Sequence, residues 1–359
     1  MFDKIVYFPI LKTKASEIEG LGKLDELILN RVTPIFDVVP INRYQKNIPS
    51  LDKHLTNIAE KISSIWQYKR PFILDLYELP LELRLAHHLH PLIYLVNLLK
   101  KKNISIVPAT GLERDIDYNE QVRLIFKDYN NGILIRLLSD DLNAPTIMQQ
   151  ELDELIIDLN IPIEKIDLLI DLKQLISSDL NHYVKLVNNA ATYINDLRKF
   201  RTIIISGSNM PKSIAEQIPQ SSSKMIRRVE MDIWRSITEK KILAIPPKFS
   251  DYTIINPEYV DIDPRIYANT MGPNIKYTTD THWLVNRGMS FQKHVEGHKQ
   301  YYKLARDVVN HRDFMGANYS YGDKYIDDRA KEKEGPGIPW HWLRAGINHH
   351  ITHIVNNFG

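Results

Sequence analysis

The chain contains no cysteine among its 359 residues. That excludes disulfides, thiolate nucleophiles and Cys-ligated zinc. No apolar run approaches the roughly 18 residues that a membrane-spanning helix needs. The opening Met1-Phe2-Asp3-Lys4, followed by a short apolar run ending at Pro9, lacks the basic, apolar and small-residue zones of a secretory leader. The expectation is a cytoplasmic protein with no membrane partner. Neither charge sign dominates: 46 Lys and Arg stand against 44 Asp and Glu, and a net charge of +2 supplies no general attraction for polyanions. A local basic patch is still allowed, so nucleic acid is neither implied nor excluded. Phosphate-loop glycines are missing as well. There is no Gly-x-Gly-x-x-Gly, no Gly-Lys-Ser/Thr and no Gly-x-Ser-x-Gly nucleophile elbow.

What is present is a rhythm. Short apolar, β-branched runs occur at Ile5–Leu11, Val32–Val39, Pro71–Leu76, Ile104–Val107, Ile133–Leu138, Ile166–Ile170, Thr202–Ile205 and Met225–Val229. They do not alternate cleanly, which suits strands buried on both faces of a parallel sheet. The stretches 15–30, 51–68, 81–102, 144–160 and 177–199 are long enough for crossover helices. Eight βα repeats of roughly 30 residues predict an α/β fold, a (β/α)8 TIM-like barrel over 1–240. A doubly wound open sheet is the alternative. Past Ile245-Pro-Pro-Lys248 the rhythm changes: 274–278 and 282–286 read as a hairpin, followed by helices near 294–311, 324–332 and 340–355. Residues 241–359 are therefore expected to form a C-terminal α+β extension packed on the barrel.

In such a barrel the residues at strand C-termini line the site. They are Lys12, Lys14 and Glu17, then Asp37, Asp75, Glu78, Thr110, Arg136, Asp171, Lys173, Ser206, Ser208, Glu230 and Asp232. Carboxylates of this kind hold Mg²⁺ or act as general acids and bases, and cations bind phosphate. Asp75, Asp171 and Glu230 are the catalytic candidates. Lys12, Lys14, Glu17, Arg136 and Ser206 are the substrate-binding ones. A charge at the end of an apolar run must be paired or useful, and a structural Arg136–Asp171 ion pair explains these residues equally well. The cofactor is left unknown, with Mg²⁺ allowed.

The histidines are ambiguous. His294-Val-Glu-Gly-His298 has an i, i+4 spacing but not the His-Glu-x-x-His order, and reads as a solvated helix face in preference to a metal site. His87, His88 and His90 read as decorating a helix C-terminus before Pro91. Asn348, His349, His350 and His353, near Arg344, lie on the last predicted helix as a ligand or catalytic candidate.

Several blocks resemble the bacterial and phage beta family proteins. They are Phe8-Pro-Ile-Leu-Lys-Thr-Lys14-Ala-Ser-Glu17, Thr33-Pro-Ile-Phe36, Leu74-Asp75-Leu76, Arg228-Val-Glu230, Ser250-Asp251-Tyr252, Asn274-Ile-Lys276-Tyr-Thr278 with Trp283 and Arg287-Gly288, Tyr321-Gly-Asp323, and Trp342-Leu-Arg344-Ala-Gly-Ile-Asn348-His349-His350-Ile351. The resemblance adds Asp251 and Arg287, and again Arg344, Asn348, His349 and His350, to the substrate-binding candidates. Lys276, Ser16 and Ser250 depart from the family pattern, which has Arg at the first and Gly at the other two. The resemblance implies a setting of phage–host conflict, sometimes beside nuclease genes, and does not imply a reaction.

Two functional readings follow. In the first, a defence-associated barrel binds a phosphorylated ligand, a nucleotide or a nucleic-acid end at its mouth, and as an enzyme it would hydrolyse a phosphate ester. In the second, a non-catalytic sensor or scaffold binds a phage protein or a nuclease partner through the C-terminal extension, whose Tyr319, Tyr321, Trp340 and Trp342 are types common in interfaces. A carbohydrate-active barrel with two spaced carboxylates is a third option, disfavoured by the many cations.

Overall fold

Seven of the apolar runs fold where the rhythm places them. The computed structural model describes residues 4–44, 47–68, 70–176, 179–260 and 271–358. Met1 to Asp3, and Ser177 and Ser178 at the start of the expected helix 177–199, lie outside the described residues. The strands are β1 Ile10–Lys12, β2 Ile35–Asp37, β3 Phe72–Asp75, β4 Ile106–Gly111, β5 Ile133–Leu138, β6 Ile166–Gln174 and β7 Thr202–Ser208. Each pairs in parallel with the next in chain order, as one curled eight-stranded sheet completed by a later strand.

Both faces of these strands are buried, which is why the runs read as continuously apolar. Ile10, Ile35, Ile73, Val107, Leu134, Leu169 and Ile204 meet on the inside of the curl. Their neighbours Leu11, Phe36, Leu74, Ile135, Ile170 and Ile205 face outward under the helices. The helix Leu51–Ile65 shows how the cover forms: Leu55, Ile58, Ala59 and Ile62 recur at helical spacing and are its buried face.

The eighth run is a correction. Met225–Val229 is not the last strand of the parallel sheet. Ser222–Arg227 is β8, and it runs antiparallel in a second, three-stranded sheet. Lys224 and Arg227 flank the short apolar pair Met225-Ile226, so the segment is too polar to be buried on both faces, and Met225 itself is 37% exposed. The place beside β7 is taken by β9, Lys248–Phe249, immediately after the Pro pair. The chain beyond it also meets the first strand. Tyr7 bridges both Val32 and Phe249 in parallel, Phe8 N donates to Phe249 O at 3.0 Å, and Ile10 N donates to Asp251 O at 2.9 Å.

The hairpin forms as β10 Asn274–Thr278 and β11 His282–Arg287, with β11 between β10 and β8. Strand pairing thus crosses residue 240 in both directions. The second sheet, with helices Gln300–Val309, Tyr321–Ala330 and Pro339–Asn357, encloses a smaller core of Ile275, Tyr277, Leu284, Tyr301, Val308 and Trp342. Trp342 stacks on Tyr301 at 4.7 Å between ring centroids, so it is a core residue and not an exposed anchor. Along the last helix, Ile347, Ile351, Ile354 and Val355 belong to the main core. The helix Ala15–Gly22 approaches it so closely that a Cβ on Gly20 would lie 3.0 Å from Ile347 and 3.1 Å from Arg344 O.

Two histidine expectations also change. The helix expected over 81–102 begins only at Pro91, and His90 caps its N-terminus, Nδ1 accepting from Leu92 N at 3.1 Å. His294 lies in a turn region ahead of the helix that starts at Gln300, because Gly297 adopts a left-handed φ of 48°.

Candidate functional site

Side chains at the C-terminal ends of the parallel strands converge inside the curl around one guanidinium. Arg136 on β5 donates through Nε and Nη2 to Asp171 Oδ2 at 2.9 and 2.7 Å, and through Nη1 to Asp75 Oδ2 at 2.7 Å and Asp37 Oδ1 at 3.2 Å. Register explains the convergence: Asp37 pairs with Asp75 across β2 and β3, and Asp171 lies opposite Ser206 across β6 and β7. Tyr252, just past β9, donates to Asp171 Oδ2 at 2.6 Å and lies 2.8 Å from Arg136 Nη2. Arg114 donates to the other Asp75 oxygen at 3.0 Å, and Lys173 N donates to Asp171 Oδ1 at 3.0 Å. All of these side chains except Lys173 are buried.

The electrostatics follow from this packing. Burial pushes the Asp171 carboxyl up, but the Arg136 and Lys173 charges and the hydrogen bonds from Tyr252 and Arg136 outweigh it and hold the group below the usual Asp range. Asp37, with one oxygen lacking a hydrogen-bond partner, is raised by burial despite Arg136. The carboxylates turn onto Arg136, and among the described residues no group of three His, Asp or Glu side chains is placed to hold a metal ion.

Above this floor lies a rim. Lys12 Nζ contacts Glu78 Oε1 at 3.1 Å and donates to Pro257 O at 2.7 Å, so the segment after β9 crosses the strand ends. Lys173 Nζ lies 3.8 Å from Glu78 and 4.1 Å from the centre of the Tyr77 ring, which also has Arg136 at 4.5 Å and Arg114 at 5.7 Å. Lys14 is exposed, with its Nζ 4.8 Å from the Tyr259 ring. Glu17 is buried just behind; its Oε2 accepts from Lys12 N at 2.7 Å, and burial raises its pKa to about 7. Ser206 is buried at the floor with no hydrogen bond to its Oγ.

Glu230 is not at this end of the sheet, because β8 left it. It pairs with Arg228 at 3.0 Å, has its second oxygen without a hydrogen-bond partner, and is raised by burial to about 8. Arg228 also lies 3.6 Å from Asp251, which faces outward from the sheet and is held by Tyr7 and by His350 Nε2 at 2.9 Å. His350 Nδ1 meets Thr278 Oγ1 at 2.8 Å, and burial favours the neutral ring, so Nε2 carries the hydrogen toward Asp251. His349 differs. Its Nδ1 faces Asp323 Oδ2 and its Nε2 faces Thr278 O, both at 2.8 Å, so each ring nitrogen meets a protein oxygen. Asn348 ties Gly322 N to Gly20 O, and Arg344 pairs with Glu19 at 2.9 Å. Arg287 donates to Ala215 O at 3.2 Å, closing a short helix.

The structure thus gathers Lys12, Asp75, Arg136, Asp171 and Ser206 at one floor, with Lys14 and Glu17 at its edge. It places Glu230, Asp251, Arg287, Arg344, Asn348, His349 and His350 elsewhere, in contacts that hold the second layer to the sheet. Sequence reasoning missed Tyr77, Arg114, Tyr252 and Tyr259. Of these only Tyr252 carried a signal, as the inward position three residues after the outward-facing Phe249.

A family model described as Beta protein matches residues 7–356, nearly the whole chain. No curated protein matches it. Two solved mutant tryptophan synthase α-subunits from the hyperthermophile Pyrococcus furiosus align with 68% of this chain and 86% of their own, at 8% and 7% identity and TM-scores of 0.36 and 0.35. Similarity at that level says nothing about what this chain does.

Proposed function

The chain belongs to the Beta protein family, and on that premise we propose that it is a binding protein of phage–host conflict whose polar sheet end takes a phosphate-bearing ligand, a nucleotide or a nucleic-acid end. We read the curled sheet as a (β/α)8 barrel, on the strength of the hydrogen bonds from Phe8 and Ile10 to Phe249 and Asp251. In that fold ligands bind at the C-terminal ends of the strands. A nuclease or another defence protein as partner belongs to the same reading and is supported by the family's setting.

One observation carries the reading: Lys14 and Lys173 rise beside the rings of Tyr259 and Tyr77 over a floor whose carboxylates are already engaged. Cations with aromatic faces suit phosphates and bases. Binding is favoured over hydrolysis. Asp75 receives an Arg on each oxygen, and Asp171 receives Arg136 and Tyr252 on one and Lys173 N on the other. A carboxylate so filled is not a free general base. The scaffold reading loses one of its four aromatic residues, Trp342, to the core, while Trp340 is 38% exposed and Tyr319 and Tyr321 are half-buried.

The test is calorimetric titration of the whole protein with ATP and with thymidine 5′-monophosphate, against adenosine and thymidine. Phosphate-dependent binding is expected, and Lys173→Glu should weaken it about tenfold or more, the worth of one lost charge-assisted contact turned repulsive. Absence of binding, or binding indifferent to Lys173→Glu, sinks the proposal.

A further inference from the structure

A groove of about 470 Å³ leads away from the rim between the loops after β1 and β2 and the helix Leu51–Ile65. That is within the size range of small-ligand sites. One wall is Thr13, Lys14, Val39, Pro40 and Asn42; the other is His54, Asn57, Ile58 and Lys61; Tyr259 lies at the end nearest the rim. Positions 54, 57, 58 and 61 recur at helical spacing, so one helix face supplies the second wall. None of the described residues lining the groove is acidic, although the chain has almost as many acids as bases. His54 Nε2 donates to Val39 O at 2.9 Å, which fixes that nitrogen as the hydrogen-bearing one and leaves Nδ1 as an acceptor.

We propose that this groove continues the rim site and binds the second and following nucleotides of a single-stranded nucleic-acid end, with a base against Tyr259 and phosphates along Lys14 and Lys61. The inference rests on the phosphate-binding reading above. Its own support is the sharing of Lys14 and Tyr259: Lys12 and Lys14 lie 5.5 and 4.8 Å from the same ring, so cations of the floor, rim and groove form one continuous track. A mononucleotide would occupy only part of such a track. A cationic groove interleaved with an aromatic face is the combination that holds single strands without reading their sequence. A duplex end would not place an unpaired base on Tyr259.

The experiment titrates the full chain with thymidine 5′-monophosphate and with 5′-phosphorylated oligothymidylates of two and six nucleotides, at two salt concentrations. The hexanucleotide should bind at least tenfold tighter than the monophosphate and lose that gain as salt rises. Lys61→Glu should remove most of the gain while leaving monophosphate affinity within about twofold, and Tyr259→Ala, whose ring also borders the rim site, should weaken the hexanucleotide and the monophosphate alike. Lys61 is exposed on its helix, so the variant is expected to keep its Tm; Lys61→Gln replaces it if not. Equal affinity for all lengths, or a gain untouched by Lys61→Glu, overturns the groove while monophosphate binding sensitive to Lys173→Glu keeps the rim site. No binding by any of the three ligands overturns both.

Discussion

Two buried polar regions of this molecule are built from the same residue types and behave differently. Inside the curl, Arg136 holds Asp37, Asp75 and Asp171 on neighbouring strand ends, and of these four side chains only Asp37 keeps an oxygen without a partner. Outside it, Tyr7, Arg228, Asp251, Thr278 and His350 meet from segments up to 244 residues apart, and Glu230 keeps an oxygen unpartnered. The inner group is ordered by strand register, and its charges neutralise one another. The outer group is ordered by tertiary contact and stays part neutral: a neutral His350 and a raised Glu230. The difference separates a platform that keeps strand ends rigid beneath a rim from a clasp that holds the last helix and the second sheet against the first and last strands.

The largest effect expected breaks the clasp outright. Ending the chain after residue 240 removes β9, and with it the partner of β7 and of Tyr7, and leaves β8 without β11. Both sheets then expose long edges, which invites aggregation. The 1–240 fragment should be insoluble or lack a cooperative melt. A soluble fragment with a sharp thermal transition would show that the two regions are independent modules.

The platform itself is tested by Arg136→Met. It leaves three buried carboxylates without their shared cation, and removing one partner of a buried ion pair costs about 3–5 kcal/mol. Urea denaturation of Arg136→Met against Asp251→Asn gives the comparison, since the second change keeps a hydrogen-bonding group in the clasp and should cost about 1–3 kcal/mol. If Asp251→Asn proves the more damaging, the contrast drawn between the two regions is wrong.

Much of the platform was legible in the sequence because strands buried on both faces announce themselves as apolar runs, and a charge inside such a run has few uses. Asp75, Arg136 and Asp171 were visible on that ground, and an Arg136–Asp171 ion pair was one of the two readings the sequence left open; the tie from Arg136 to Asp75 was not. The eighth strand was not. Two residues, Lys248 and Phe249, leave no periodicity to read, whereas Met225-Ile226 imitates a buried strand for lack of any local sign that β11 will cover it. Glu230 was misplaced for the same reason. The C-terminal polar residues, read as substrate-binding candidates, form the clasp: nothing local in Asn348-His349-His350 says whether a polar helix face meets ligand or protein. Partners 72 and 99 residues away decide it.

The smallest effect expected is also the sharpest on the neutral character of the clasp. Burial, offset in part by Arg228 and reinforced by Asp251, raises Glu230 from 4.5 to about 8. Between those values the folded protein keeps a proton that the unfolded chain has released. Stability therefore falls as pH rises through this window, by at most about 1.4 kcal/mol per pH unit for one group. Asp171 has the opposite sign: its lowered pKa gives stability that is fully present at neutral pH and lost only as pH falls through the acid range. Glu230→Gln keeps an oxygen to accept from Arg228 Nε and removes the titration. The variant should match the wild type within about 1 kcal/mol near pH 5 and exceed it by about 1–3 kcal/mol near pH 8. Glu17, raised to about 7 by burial, contributes a slope of the same sign that Glu230→Gln leaves in place. Urea midpoints across pH 5–9 give the measurement. A wild-type curve that is flat there, or a variant whose slope equals the wild type's, would mean that Glu230 is ionised in the folded protein and that the clasp, like the platform, is held by paired charges.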